Sequence, residues 1–188
     1  MMNKGKLPHI ITAVLFVVFV VLGLASATAP GFSQYWSLGE LTDQWGATTG
    51  KHFMSYNEKI RGVYSTRLVN NEPLIVEEIT FSNEYLSFDL LERGGTTMLS
   101  LGMSSSSLEV TVTMVTKSLG EKTFSGGIAS DSAKTIIVDF NEDLLNVFKL
   151  QEVINFRITI SSRTGEKYYQ FNFTPVKFID AYDRMNSL

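Results

Sequence analysis

His52 is one of two histidines in the chain. Because His9 stands in an apolar leader, His52 is the only imidazole open to a folded domain. A Ser-His-Asp triad centred on it would need a framed nucleophile, and no Gly-x-Ser-x-Gly elbow is present. A transition-metal site built on imidazole needs several of them, so that class drops out. Cysteine is absent altogether, which removes thiolate nucleophiles, sulfur-ligated zinc and disulfides.

The carboxylates carry the remaining chemistry. Asp139, Asn141 and Asp143 fall at the first, third and fifth positions of a calcium loop. However, the glycine needed at the sixth position is Leu144 and the bidentate glutamate needed at the twelfth is Leu150. An acidic helix start explains these residues better. Glu77 with Glu78, Asp89 with Glu92, and Asp180 with Asp183 lie close in sequence, as a glycosidase pair could. In a regular strand Glu77 and Glu78 point to opposite faces, so at most one of them reaches a cleft. Trp36 and Trp45 are the candidate ligand or interface aromatics, as a sugar-stacking platform or a membrane-interface belt. Packing in the core or at an edge is their plainer use. Asn172-Phe173-Thr174 spells a glycosylation acceptor, inside a strand-like run.

The elements that must hold these residues begin with a leader. Met1 to His9 carries Lys4 and Lys6 without an acid, and Ile10 to Leu24 is an uncharged run of Val, Phe, Leu and Ile. Ala25-Ser26-Ala27 follows, with small residues where a signal peptidase reads. The expectation is a signal peptide over 1–27; the alternative is an uncleaved anchor over 10–29, long enough to span a hydrocarbon core as a helix. Either one places the rest of the chain outside the cytoplasm: periplasmic, at the outer surface, or tethered to the membrane and facing outward. No cysteine follows the apolar run, so lipoprotein anchoring is excluded.

The chain has 188 residues and a net charge of -3, which suits one exported domain. The leader takes two of its 16 basic residues, leaving 14 against 19 acidic ones. This balance argues against a nucleic-acid partner. With 44% hydrophobic and 19% charged residues, the exported part has the material for a packed core. Residues 28–52 read as a linker and irregular segment, with one short helical turn between Ser37 and Trp45, and 53–188 read as a β-rich domain.

A period of two dominates that domain. Leu108, Val110, Val112 and Met114 alternate with Glu109, Thr111 and Thr113; Ile154, Phe156, Ile158 and Ile160 alternate with Asn155, Arg157, Thr159 and Ser161. Tyr169, Phe171 and Phe173 continue the pattern after the turn Ser162 to Glu166, so the last two strands form an antiparallel hairpin. Further strands are expected at Ile60 to Val69, Leu74 to Phe81, Tyr85 to Leu91, Met98 to Leu101, Lys122 to Ser125 and Thr135 to Phe140. The turns between them fall at Asn70-Asn71, Ser82-Asn83, Gly94-Gly95, Ser104 to Ser107, Gly126-Gly127 and Ser130 to Ser132. A helix is expected over 142–148 behind Asn141, and a C-terminal helix opening with Thr174 as cap and Pro175 in its first turn. The fold class is therefore mostly β: an antiparallel β-sandwich or open barrel with a short helix before the last hairpin and a C-terminal helix.

The runs Asp43-Gln44-Trp45-Gly46, Thr49-Gly50-Lys51 and Ile60 to Ser65 resemble the opening of small exported β proteins of bacterial envelopes, a largely uncharacterised group. Tyr168 to Phe173, Phe178 and Ala181-Tyr182 look like their ending. In outline the chain is also similar to accessory components of type VI secretion, although those carry cysteines that are absent here. The resemblance implies an exported β domain and assigns no catalytic or ligand residue. The expectation is thus an exported, non-catalytic envelope protein without a cofactor, which binds or scaffolds another envelope component. A small-ligand or glycan-binding module and a hydrolase with a carboxylate pair are the alternatives.

Overall fold

A computed structural model describes residues 35–43, 45–93, 108–129, 134–163 and 165–188. The leader, the expected strand at Met98 to Leu101 and the turns at Gly94-Gly95, Ser104 to Ser107 and Ser130 to Ser132 lie outside them. Among the described residues ten strands form one sheet: β1 (Trp36–Thr42), β2 (Thr48–Tyr56), β3 (Ile60–Thr66), β4 (Glu72–Ser82), β5 (Tyr85–Glu92), β6 (Glu109–Thr116), β7 (Gly120–Ile128), β8 (Thr135–Asp139), β9 (Ile154–Ser162) and β10 (Gly165–Phe173). Helix α1 (Glu142–Lys149) precedes β9, and α2 (Phe178–Met185) follows β10.

The architecture is mostly β and antiparallel, but it is neither a sandwich nor an open barrel. Eight strands close on themselves in the order β3-β4-β5-β8-β7-β6-β9-β10, and β10 pairs back onto β3. The seam that closes it depends on Gly62. A Cβ built there would stand 2.4 Å from the Gln170 carbonyl oxygen, so only glycine lets β3 approach β10 so closely.

Alternation decides what fills the interior. In β6 the residues Val110, Val112, Met114 and Thr116 are buried while their neighbours are not, and β9 and β10 follow the same rule. At one end the barrel is stoppered by α1 and α2. Phe81, Phe148 and Phe178 meet there at centroid distances of 4.9–5.2 Å, in edge and tilted arrangements that suit ring quadrupoles. Helix α1 is capped as expected: the Asn141 side chain accepts the Leu144 amide at 2.9 Å, with Glu142 and Asp143 in the first turn.

Three local expectations fail. Gly126 and Gly127 do not form a turn: both lie inside β7 and pair with β8, and Gly126 also pairs with β6, the missing Cβ at Gly126 leaving room for the Ile137 carbonyl, 2.9 Å from where that Cβ would stand. The segment Ser37 to Trp45 does not form a helical turn, because its neighbour Thr48–Tyr56 offers a full ladder and Gly39 is a poor helix former. The Phe53 ring lies where a Cβ on Gly39 would be, covering the glycine across the strands. The sheet therefore begins at Trp36, well before Phe53. Helix α2 does not open at Thr174-Pro175 either. The Val176 carbonyl, which such a helix would give to an intrahelical amide, accepts the Trp36 indole N–H at 2.8 Å. Lys177 then takes a left-handed conformation, φ 58°, and the helix starts at Phe178. That turn lays Phe178, Ala181 and Met185 onto the aromatic stopper.

Candidate functional site

Among the described residues three places hold groups capable of chemistry or recognition. The first is inside the barrel, at the end away from the helices. Alternation in β5 carries Leu86, Phe88, Leu90 and then Glu92 inward, and in β10 it carries Lys167 inward ahead of Tyr169. Lys167 Nζ donates to Glu92 Oε1 at 2.6 Å, and the Tyr169 hydroxyl donates to the same oxygen at 2.6 Å. The ammonium also stands 5.6 Å and 5.8 Å from the ring centres of Tyr64 and Tyr169. Lys167 is 1% exposed and Glu92 5%. Burial first, and the Glu92 carboxylate second, push the Tyr169 hydroxyl far above the usual phenol range, so it remains a donor at any physiological pH. A cation, an anion and a donor locked to one another make a satisfied electrostatic knot, without a free base or nucleophile. The sequence singles out Glu92 only as a neighbour of Asp89 and gives Lys167 no role, although the period of two places Lys167 on the apolar face of Tyr169, Phe171 and Phe173.

The second place is the outer wall of β4 and β5. Register shifts between Val76 and Glu78, a bulge that changes which way the chain faces. Leu74 and Val76 are buried before it, Ile79 and Phe81 after it. Glu77 and Glu78 therefore both avoid the core, which corrects the expectation that they oppose each other. Glu77 takes Lys134 at 3.1 Å and Lys59 at 3.4 Å. Glu78 accepts the Ser55 hydroxyl, and Asp89, its cross-strand partner, accepts Thr135 Oγ1 at 2.6 Å. The hydrogen bond from Lys134 holds the Glu77 carboxyl below the usual range against the opposing effect of burial. Of the sequence pairs, Asp89 faces outward and Glu92 inward, while Asp180 is paired with Lys177 at 3.5 Å on α2. None of the three makes two acids facing across a cleft. Among the described residues no cluster of three or more metal-ligating side chains occurs; Asp143, from the calcium-like run, lies 3.6 Å from Lys122.

The third place is the β1–β2 hairpin, which overhangs the barrel because β4 pairs only with Phe53 to Ser55 of β2. Beneath the overhang runs a groove of about 780 Å³ whose walls include Glu40, His52, Asn83 and Asn186. Glu40 and His52 face each other across the hairpin. The Asn83 amide donates to Asn186 Oδ1 at 2.7 Å, and Lys51 meets Glu84 at 2.6 Å. Ser82 lines the same groove, but its hydroxyl donates to the Tyr85 carbonyl and accepts the Glu84 and Tyr85 amides. It is tied to the turn and is no partner for His52.

The two tryptophans part company. Trp36 is 2% exposed, its edge against Tyr56, Phe173 and Phe178; it offers no face to a sugar or a membrane. Trp45 is 83% exposed at the hairpin tip, where Asp43 Oδ1 accepts the Trp45 and Ala47 amides and fixes the turn.

No protein-family model, no curated protein and no solved structure matches the chain. Among the described residues no helix is long and apolar enough to cross a membrane.

Proposed function

We propose that this is an exported, non-catalytic protein of the cell envelope that binds or scaffolds another envelope component through its overhanging β1–β2 hairpin. One observation carries the reading. The described barrel interior is filled by side chains and its charged groups are mutually satisfied, whereas the hairpin stands off the barrel with Trp45 bare at its tip. A large aromatic ring held on a fixed turn costs little ordering entropy on binding, and tryptophan is the residue most enriched at interface hot spots. The apolar leader supplies the route to the envelope. A photo-crosslinking residue at position 45, compared with one at Glu121 on β7, tests this in intact cells. The expected result is a discrete crosslinked product in the envelope fraction from position 45 and none from position 121. Identical patterns from the two positions, or no product from either, would overturn the proposal.

A second reading is favoured by the groove itself, whose carboxylate, imidazole and paired amides are groups that hydrogen-bond sugar hydroxyls. Binding of envelope glycan fragments that is lost in Asn83→Ala, with the crosslink from position 45 unchanged, would select it.

A further inference from the structure

We propose that the outer wall where β3, β10 and β9 meet is a binding site for an acidic saccharide, with Arg61 and Arg157 on its carboxylate or phosphate and Gln170 and Asn172 on its hydroxyls. The site lies apart from the hairpin and from the groove beneath it, and depends on neither.

Alternation selects the side chains. In β10 the inward set is Lys167, Tyr169, Phe171 and Phe173, so Gln170 and Asn172 point outward. The same rule sends Asn155 and Arg157 outward from β9, and Arg61 and Val63 outward from β3. Register then brings them together. Arg157 lies opposite Gln170, Asn155 opposite Asn172, and Gln170 opposite Val63. The ladder between β3 and β10 ends at the pair Gly62–Phe171. There a depression of about 420 Å³ opens, floored by that pair and walled by Arg61, Val63, Gln170 and Asn172. Arg61 and Arg157 stand on the strands to either side of β10 and two residues apart along the sheet. Their backbones are therefore separated by about 12 Å, a distance that two arginine side chains bridge toward a shared anion.

Charge on this wall is one-sided. β3, β9 and β10 contain a single acid, Glu166. It lies toward the other end of β10 and accepts from Ser161 and the Tyr168 hydroxyl. Lys51, Lys59, Lys122, Lys134, Lys167 and Lys177 each meet a carboxylate. Among the described residues, Arg61 and Arg157 make no ion pair, and the side chains of Gln170 and Asn172 make no hydrogen bond within the protein. In a chain whose net charge is -3, two uncompensated guanidinium groups concentrate positive potential on this one wall.

Those groups define the ligand. A guanidinium donates as a fork to a carboxylate or phosphate, while an amide side chain both donates and accepts, as sugar hydroxyls do. The one ring in the lining, Phe171, is buried in the barrel, so a nucleobase has nothing to stack on. Two arginines are also too few to follow a nucleic-acid backbone. A saccharide that carries an acid group beside its hydroxyls uses both kinds of side chain. Because the arginines are exposed, its binding weakens as salt is added.

The test titrates the full chain, in an uncharged detergent without sugar head groups, with trigalacturonate, mannose 6-phosphate and the neutral maltotriose. At least one acidic sugar should bind and maltotriose should not; the acid that binds tells carboxylate from phosphate. Arg61→Gln and Arg157→Gln should each weaken that binding about fivefold or more. Both side chains are exposed and unpaired, so the melting temperature of each variant should stay within about 1 °C of wild type. Lys117→Gln removes an exposed charge from the turn after β6 and should leave the affinity unchanged. Failure of both acidic sugars to bind, equal binding of maltotriose, or equal weakening by Lys117→Gln overturns the proposal. Binding that survives both arginine substitutions and is lost in Asn83→Ala would move the sugar to the groove under the hairpin, and overturns it as well.

Discussion

Lys167 and Glu92 meet inside the barrel at 2.6 Å although they stand 75 residues apart, and the pair ties β5 to β10 across the interior. Such a pair adds little net stability over an apolar replacement, because two ions must be stripped of water, yet removing one partner strands the other. Lys167→Met should therefore cost about 3–5 kcal/mol in urea unfolding. The double substitution Lys167→Met with Glu92→Leu should recover most of it. A single variant as stable as wild type would mean that water reaches the Glu92 carboxylate.

Closure of the barrel depends on Gly62 more than on any packed side chain in β3. Its missing Cβ is what leaves room for the Gln170 carbonyl, a backbone atom that cannot step aside. Gly62→Ala should destabilise by about 1–3 kcal/mol or more, seen as a lowered melting temperature. Gly127 makes the contrast, since a Cβ there meets nothing within 4 Å, and Gly127→Ala should be neutral within about 0.5 kcal/mol.

Much of this architecture was legible in the chain because burial and alternation agree. The strict period of Val110 to Met114 and of Ile154 to Ile160 located β6 and β9, and Asn141 with its following acids located the start of α1. What the pattern could not carry was information held by distant partners. Closure is set by the pairing of Val63 with Gln170, a contact that no local window contains. Trp36 takes the Val176 carbonyl across 140 residues and so moves the start of α2. The bulge at Glu77 turned two acids to one side. The Lys167–Glu92 pair was within reach, since extending the alternation of Tyr169 back by one step puts a lysine indoors that must find an anion.

The acid limb of stability has a marked contributor in Glu77. Its carboxyl is held below the ordinary value of 4.5, chiefly by the Lys134 hydrogen bond, then by the charges of Lys134 and Lys59. A carboxyl depressed in the folded state stabilises fully above its unfolded value, and the contribution disappears as pH falls through the lower folded value. Stability against urea should thus decline from about pH 5 downward, and Glu77→Gln should flatten that limb while leaving the slope above pH 6 unchanged. Lys134 is affected in the opposite direction. Burial tends to lower it, but Glu77 and Asp89 together raise it, so its contribution persists until pH rises past the ordinary lysine value. An acid limb of the same steepness in Glu77→Gln would assign the effect to other carboxylates.

The two tryptophans give the sharpest separation of structure from recognition. Trp36 donates its indole N–H to Val176 and packs edge-on against three rings at 5.2–6.0 Å. Trp36→Phe removes that donor from a buried carbonyl and opens space in the stopper. Each is a known route to losses of about 1–3 kcal/mol; the melting temperature should fall, and α2 should exchange its amides faster. Trp45 touches nothing that holds the fold, so Trp45→Ala should leave the melting temperature within about 1 °C while removing any contact made by the hairpin tip. A large destabilisation by Trp45→Ala would mean that the hairpin tip is folded onto the barrel in solution, and its availability to a partner would then have to be abandoned.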